Sequence, residues 1–315
     1  LTKGKIPSYL GSSFAFISPV MVILSTSSYS DAQSGFIVFG LIFILFSLII
    51  KYTGTGWIDI IFPPACMGAI IAVIGLELAP TAAGMAGLTG DVIDFRNIAV
   101  SMFTLAVTII GSVAFKGFMA IIPILFGVIC GYIFSFFMGL VDLAPVAAAP
   151  WFQMPHFYQP TFNLNAILII APAALVVLAE HIGHLVVTGN VVERNLIKDP
   201  GLARSLFADG CSNVLSGFFG ATPNTTYGEN IGVMAVTKVY SVWVIGGAAV
   251  FSIILAFFAP ASALISTIPG PVMGGISFLL YGMIAASGLR LIVDKKVNYG
   301  KARNLAMTAL IFVTG

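Results

Sequence analysis

The stretch "ATPNTTYGENIGVM", residues 221–234, decides how this chain is read. It sets Pro, Asn, Thr, Thr, Tyr, Gly, Glu and Asn in a row, in a sequence of 315 residues of which 59% are apolar and only 8% charged. No water-soluble surface can be built from that composition, so the chain reads as a polytopic membrane protein. Inside a hydrocarbon layer each unpaired N–H or C=O costs several kcal/mol, so non-helical backbone is admitted only where protein or a water-filled cavity meets it. "TPNTTYG" is rich in β-branched and turn-forming residues, which predicts a short extended piece ending at Gly228. A half-helix then starts near Glu229 and runs through "ENIGVMAVTK".

Around this stretch, apolar runs of roughly 17 to 25 residues, enough to cross a ~30 Å hydrocarbon layer as helix, recur from end to end. They predict spans at 8–27, 34–51, 60–79, 97–115, 118–140, 165–188, 203–219, 222–238, 240–258 and 269–288, with an incomplete one from about 304. With the first span running outward, every Lys and Arg except Arg96 falls on one side, which assigns that side to the cytoplasm. Trp57 and Trp151 sit near span ends, as interfacial anchors do. Neither a cleavable-looking signal peptide nor a soluble domain interrupts the pattern. Cys66, Cys130 and Cys211 lie in apolar stretches without metal spacing and read as buried small hydrophobes. The chain opens at a membrane boundary with "LTKGKIP" and offers about a dozen residues after Arg303, too few to cross, so spans are expected to be missing at both ends.

An internal repeat appears at a separation of 206 residues, "FPPACMGAI" at 62–70 against "IPGPVMGGI" at 268–276. Pro63 matches Pro269, Met67 matches Met273, Gly68 matches Gly274 and Ile70 matches Ile276, while Gly40 falls on Gly246. The copies lie an odd number of spans apart, so they start on opposite sides of the membrane, which is the arrangement of inverted-repeat transporters. Each half also holds one irregular span, "IPSYLGSSFAFISPV" in the first and "ATPNTTYGENIGVM" in the second. Paired interrupted spans point to a midplane binding site. Two extended pieces crossing there can satisfy some of each other's backbone groups and leave other N–H groups facing a cavity, beside the positive dipole end of the half-helix.

Two acidic residues stand out. Glu229 sits at the half-helix start, where the dipole and a donor-bearing ligand favour its carboxylate against desolvation. In "AEHIGHLVVTGN", residues 179–190, Glu180 and His184 are four apart and share a helix face, with His181 turned about 100° away. A carboxyl group within a span costs at least ~2.5 kcal/mol on insertion scales, and the basic residues are nearly all assigned to loops. The partners left for Glu180 are His184, a proton or a ligand. His181 and His184 lack a third donor and "HExxH" context, so no metal is expected. His156 reads as a loop residue, Glu77 as a span-end carboxylate reaching the interface, and Asp209, in "FADGCSN", as either a helix-start residue or a member of a core polar network.

With "EHIGH" and "TPNTTYGENIGVMAVTK" in view, the chain resembles the nucleobase/ascorbate transporter family, over essentially its whole length, including "IPSYLGSSFAFISPV", "GTGWIDIIFPPACMGAIIAVIGLELA" and "YSVWVIGGAA". The family signature of Glu or Gln, Asn, any residue, Gly, four of any kind and Thr reads here Glu229, Asn230, Gly232 and Thr237. The resemblance implies an all-α polytopic membrane fold of seven plus seven spans in inverted repeat. Short antiparallel strands lie in the third and tenth spans, and this chain covers about spans 3 to 13. It implies a core domain from 1–59 and 151–262, and a gate domain from 60–150 and 263–315. Carried over, the two substrate-binding glutamates fall on Glu180 and Glu229, the histidine linked to proton coupling on His184, and the backbone donors to pyrimidine carbonyls on Phe14 and Gly228, with Tyr227 adjoining. A glutamate heading the signature resembles the uracil-carrying members rather than those for xanthine and urate.

The implied activity is symport of uracil with a proton across the bacterial inner membrane by alternating access, with the lipid bilayer as surroundings. Neither cofactor nor nucleic acid is expected, and a homodimer stays open. Uracil has two N–H donors and two carbonyl acceptors at fixed angles, which two carboxylates and the free backbone N–H groups can match. The competing readings are a permease for xanthine or another nucleobase and, from a different class, an anion channel, which would prefer a basic residue where Glu229 stands. A membrane enzyme lacks a nucleophile triad or full metal set.

Overall fold

The computed structural model describes residues 1–57, 60, 63–90 and 93–314, without the side chains of Phe118, Ile121 and Glu229. Both irregular spans are broken by a strand. Strand β1 (Leu10–Ser12) pairs antiparallel with β2 (Asn224–Thr226), in the register Leu10 to Thr226, Gly11 to Thr225 and Ser12 to Asn224. Two further backbone bonds extend the ribbon, from the Ser13 N–H to the Pro223 carbonyl at 2.9 Å and from the Tyr227 N–H to the Tyr9 carbonyl at 3.0 Å. The β-branched pair in "PNTT" favours extension, and each strand takes from the other the partners that a membrane interior denies it.

Helices make up most of the rest. In chain order they are α1 (Ile17–Thr26), α2 (Tyr29–Thr53), α3 (Pro64–Glu77), α4 (Ala79–Met85), α5 (Phe95–Ala114), α6 (Pro123–Phe137), α7 (Ala144–Ala148) and α8 (Leu164–Ile170). There follow α9 (Ala173–Val191), α10 (Leu202–Phe218), α11 (Gly228–Thr237), α12 (Val242–Ala256), α13 (Ala259–Ser266), α14 (Gly270–Asp294) and α15 (Ala302–Thr314). Among the described residues five helical stretches, Tyr29–Thr53, Pro64–Met85, Phe95–Ala114, Leu164–Val191 and Gly270–Asp294, are long and apolar enough to cross a membrane. The repeat seen in the sequence is carried by matching elements. β1 and α1 precede α2 as β2 and α11 precede α12, α14 starts at 270 against 64 for α3, and α15 starts at 302 against 95 for α5.

The first half's broken span differs from the sequence expectation in one respect. Only Leu10–Ser12 is extended; Phe14–Phe16 turns into a 3₁₀ helix before α1. The Ser13 hydroxyl accepts the Ala15 N–H at 3.3 Å, a local cap that ends the strand early. The three cysteines are unpaired and half-buried rather than buried.

The chain forms two compact units, Leu1–Pro63 with His156–Ala249, and Pro64–Pro155 with Val250–Gly315. In the first, α2 lies along α10, and Gly40 meets Gly210 at the crossing: a methyl on Gly40 would come within 2.8 Å of the Gly210 carbonyl oxygen. Absent side chains there let the two backbones approach, as at other helix crossings in membranes. Phe16, Phe36, Phe39, Phe43, Leu178 and Leu206 belong to the buried apolar core of this unit. A capping box closes the start of α2, with Ser28 and Asp31 serving each other's backbone. Gln33, fully buried on α2, donates to the carbonyls of Tyr158 and Gly217 at 3.1 and 2.8 Å and so ties the connection before α8 to the end of α10. The second unit is built around α14, packed on α3, α4, α5 and α6, with Gly68 against Gly288 repeating the close approach.

Candidate functional site

Because the strands run in opposite directions, the chain leaves β1 at one end of the ribbon and β2 at the other. The 3₁₀ turn beginning at Phe14 and the helix α11 beginning at Gly228 therefore start at opposite ends of a ribbon only three residues long. Both direct their N-terminal ends toward it. The first N–H groups of a helix have no partner within it, and their dipoles sum to a partial positive charge, so donors converge on this place from two sides. The Ser13 and Tyr227 N–H groups are taken up in extending the ribbon, which makes those of Phe14 and Gly228 the next along each chain.

Helix α9 packs against the 3₁₀ turn, β2 and α11. It carries Glu180 and His184 on one face, as the four-residue spacing dictates, with His184 Nδ1 3.9 Å from Glu180 Oε1 and the two side chains 25% and 29% exposed. The His184 ring stands beside the Thr226 backbone of β2. It also lies so close to the start of α11 that a methyl on Gly228 would stand 3.1 Å from its Nε2. The structure thus brings Glu180, His184 and Gly228 together. Tyr227, half-buried, is the N-cap residue of α11, and Phe14 stands at the other end of the ribbon, in a turn that packs on α9. Glu229 is the second residue of α11; its side chain lies outside the described residues.

Behind the ribbon is a polar network whose course the sequence reading missed. His181 is 3% exposed and its Nε2 lies 2.8 Å from the Ser205 hydroxyl. Its Nδ1 stands 3.0 Å from Asp209 Oδ2, a close approach that is not aligned as a hydrogen bond. Asp209 is 1% exposed and sits in the middle of α10, which removes the helix-start alternative and leaves the core polar network. The Asn213 amide donates to Asp209 Oδ1 at 3.1 Å and to the Asn224 carbonyl at 3.3 Å, and its oxygen accepts the Asn224 N–H. The chain of contacts runs from α9 through α10 into β2. Its signal was present in the sequence: Ser205, Asp209 and Asn213 are spaced by four and so share one face of the helix, a buried polar stripe. Glu77 and His156 are exposed, the latter edge-on to the Tyr158 ring at 4.6 Å.

Comparison with known proteins puts this geometry in context. The family model described as the Permease family, Xan_ur_permease, matches residues 1–315. The uracil permease of Escherichia coli strain K12 is 60% identical over 318 residues, which take in 100% of this chain and 74% of the relative. That of Bacillus subtilis strain 168 is 45% identical over 326 residues, covering 100% of this chain and 75% of its own length. The putative pyrimidine permease RutG of Escherichia coli strain K12 is 38% identical over 330 residues, covering 100% and 73%. Among solved structures, the transmembrane domain of the cyanobacterial bicarbonate transporter BicA superposes with a TM-score of 0.73 at 15% identity, covering 98% of this chain and 82% of that one. At that identity the likeness is one of fold.

Proposed function

Since this chain belongs to the permease family, whose model takes in its whole length, we propose that it carries uracil across the bacterial inner membrane together with a proton, by alternating access. The observation that carries this reading is the Glu180–His184 pair set against the start of α11, where two broken spans meet. Uracil offers two N–H donors and two carbonyl oxygens in one plane. In this reading the carboxyl groups of Glu180 and Glu229 take the donors, and the N–H groups of Phe14 and Gly228, each at a helix start, serve the oxygens. Tyr227 closes the site beside them. A base lacking one N–H leaves a carboxylate without its partner in a desolvated place, a loss of about 3 kcal/mol or roughly a hundredfold in affinity.

Proton coupling follows from the same pair. The space between Glu180 and His184 suits a shared proton, and a carboxyl group in a membrane span is stabilised by holding one. A carboxyl group that holds a proton still has an oxygen to accept an N–H, so base and proton can occupy the pair together and their binding is linked. The unit that contains the site then acts as the moving core, and the other as the gate. An anion at this place would meet acidic side chains, which disfavours the channel reading.

Uptake of radiolabelled uracil by the full-length protein in proteoliposomes, at two external pH values with unlabelled bases as competitors, tests the proposal. Saturable uptake that rises with an inward proton gradient and is inhibited by uracil supports it. Glu180→Gln is expected to abolish gradient-driven accumulation; undiminished accumulation in that variant would remove Glu180 from proton coupling.

A further inference from the structure

Gly11 lies inside β1, opposite Thr225 in the ribbon. A glycine within a strand weakens it and leaves nothing to pack, so one that stays calls for a reason. Backbone conformation is not the reason, because Gly11 is absent from the residues with positive φ. Space is. A Cβ built on Gly11 would run into the Cζ, the Cε2 and the hydroxyl of Tyr227. Directly paired residues of an antiparallel ribbon share a face, as do residues two apart on one strand. Gly11, Thr225 and Tyr227 therefore share one face, and the Tyr227 ring lies back across the strand at the place where Gly11 has no side chain. Tyr9, whose carbonyl takes the Tyr227 N–H, holds its ring 6.3 Å away from that of Tyr227 and tilted by 31°.

We infer that Gly11 is a specificity-determining position, acting through Tyr227. By leaving room for the aromatic ring against the ribbon, it fixes the wall that stands next to the Gly228 N–H and closes one edge of the pyrimidine site. This rests on the function proposed above, since the wall matters only if a planar base binds there. Any side chain at position 11 pushes the ring off the ribbon and toward the base. Ring displacement changes the room at one edge of the base, so it alters affinity for uracil and the ratio of affinities for uracil and 5-methyluracil together. Gly11 touches no substrate; it is a positioning residue.

The test uses the full-length protein in detergent, as Gly11→Ala, Tyr227→Leu and the double variant. The dissociation constants for uracil and 5-methyluracil are measured by calorimetry, and the ring is followed separately by fluorine NMR of 3-fluorotyrosine placed at position 227. In Gly11→Ala the fluorine resonance is expected to move without any base present, uracil affinity to fall about tenfold, and the uracil to 5-methyluracil ratio to change. In the Tyr227→Leu background, where the ring is gone, adding Gly11→Ala is expected to change affinity less than twofold, because the two residues act as one unit. An unmoved resonance, or an equal loss in both backgrounds, overturns the inference. Should Gly11→Ala fail to fold, folding of the double variant upholds it, and failure of both assigns Gly11 to the backbone and overturns it. Absence of uracil binding in the unmutated protein sinks the proposed function and the wall with it, whereas intact binding with an unmoved resonance sinks the wall alone.

Discussion

Replacing Asn213 by alanine removes the side chain that joins α10 to β2. Asn213 is 0% exposed, so no solvent stands ready to replace it. Its amide gives one hydrogen bond to the Asp209 carboxylate at 3.1 Å and one to the Asn224 carbonyl at 3.3 Å, and its oxygen takes the Asn224 N–H. Each such bond is worth about 1 kcal/mol, and a buried partner left unsatisfied adds to the loss. The net loss is about 3 kcal/mol, concentrated in a three-residue strand with few other ties. At roughly 1.4 kcal/mol per decade, local opening of β2 becomes about a hundredfold more frequent. Hydrogen exchange read by mass spectrometry on the full-length protein reports this directly. Amides in 222–228 are expected to exchange about a hundredfold faster in Asn213→Ala, with those of α2 unchanged. Equal protection of 222–228 in both proteins would refute the reasoning, and an equal acceleration in α2 would show that the network supports the whole unit rather than the ribbon.

Other expectations follow from the same packing and charges. Gly210→Leu forces α2 and α10 apart where Gly40 and Gly210 meet, an overpacking that costs about 1–3 kcal/mol, read as a lowered melting temperature in detergent; an unchanged value would mean the crossing has slack. Gln33→Leu leaves the Tyr158 and Gly217 carbonyls without their donor, about 2–4 kcal/mol in all, and should speed exchange and proteolysis in 156–163 while α10 stays protected. The Lys5 ammonium bonded to Asp199 holds that exposed carboxyl below its ordinary range. A carboxyl so lowered stabilises the fold above its unfolded pKa and loses that contribution as pH falls through the lowered value. Because both partners face water, Asp199→Asn should leave melting at neutral pH and high salt unaltered, and a marked drop there would show the pair to be shielded.

Much of the ribbon was legible. Thr225 and Thr226 announce extension in a place where only paired strands survive, and Gly228 marks its end, since α11 starts there, one residue before the expected start near Glu229. Spacing alone put Glu180 and His184 on one face. What spacing could not show is which helix lies behind that face. The His181–Asp209 approach joins residues 28 positions apart through a packing choice between α9 and α10, which no local pattern encodes. The Ser205, Asp209 and Asn213 stripe did encode a buried polar face, and it could have been read as such. The early end of β1 was hidden because Ser13 can either extend or cap, and the choice falls to the Ala15 N–H beside it. Gly11 was silent for a simpler reason: a missing side chain reveals nothing until the ring that fills its space is seen.

The pairing of Leu10 with Thr226 also says something about how the molecule comes to exist. The two strands emerge from the ribosome more than two hundred residues apart, so the earlier one enters the bilayer with no mate for its peptide groups. Until the later segment arrives, it must stay helical, remain sheltered by the insertion machinery, or keep water about it. The ribbon can therefore form only after its second strand has been made, and a nascent chain halted before residue 224 cannot contain it.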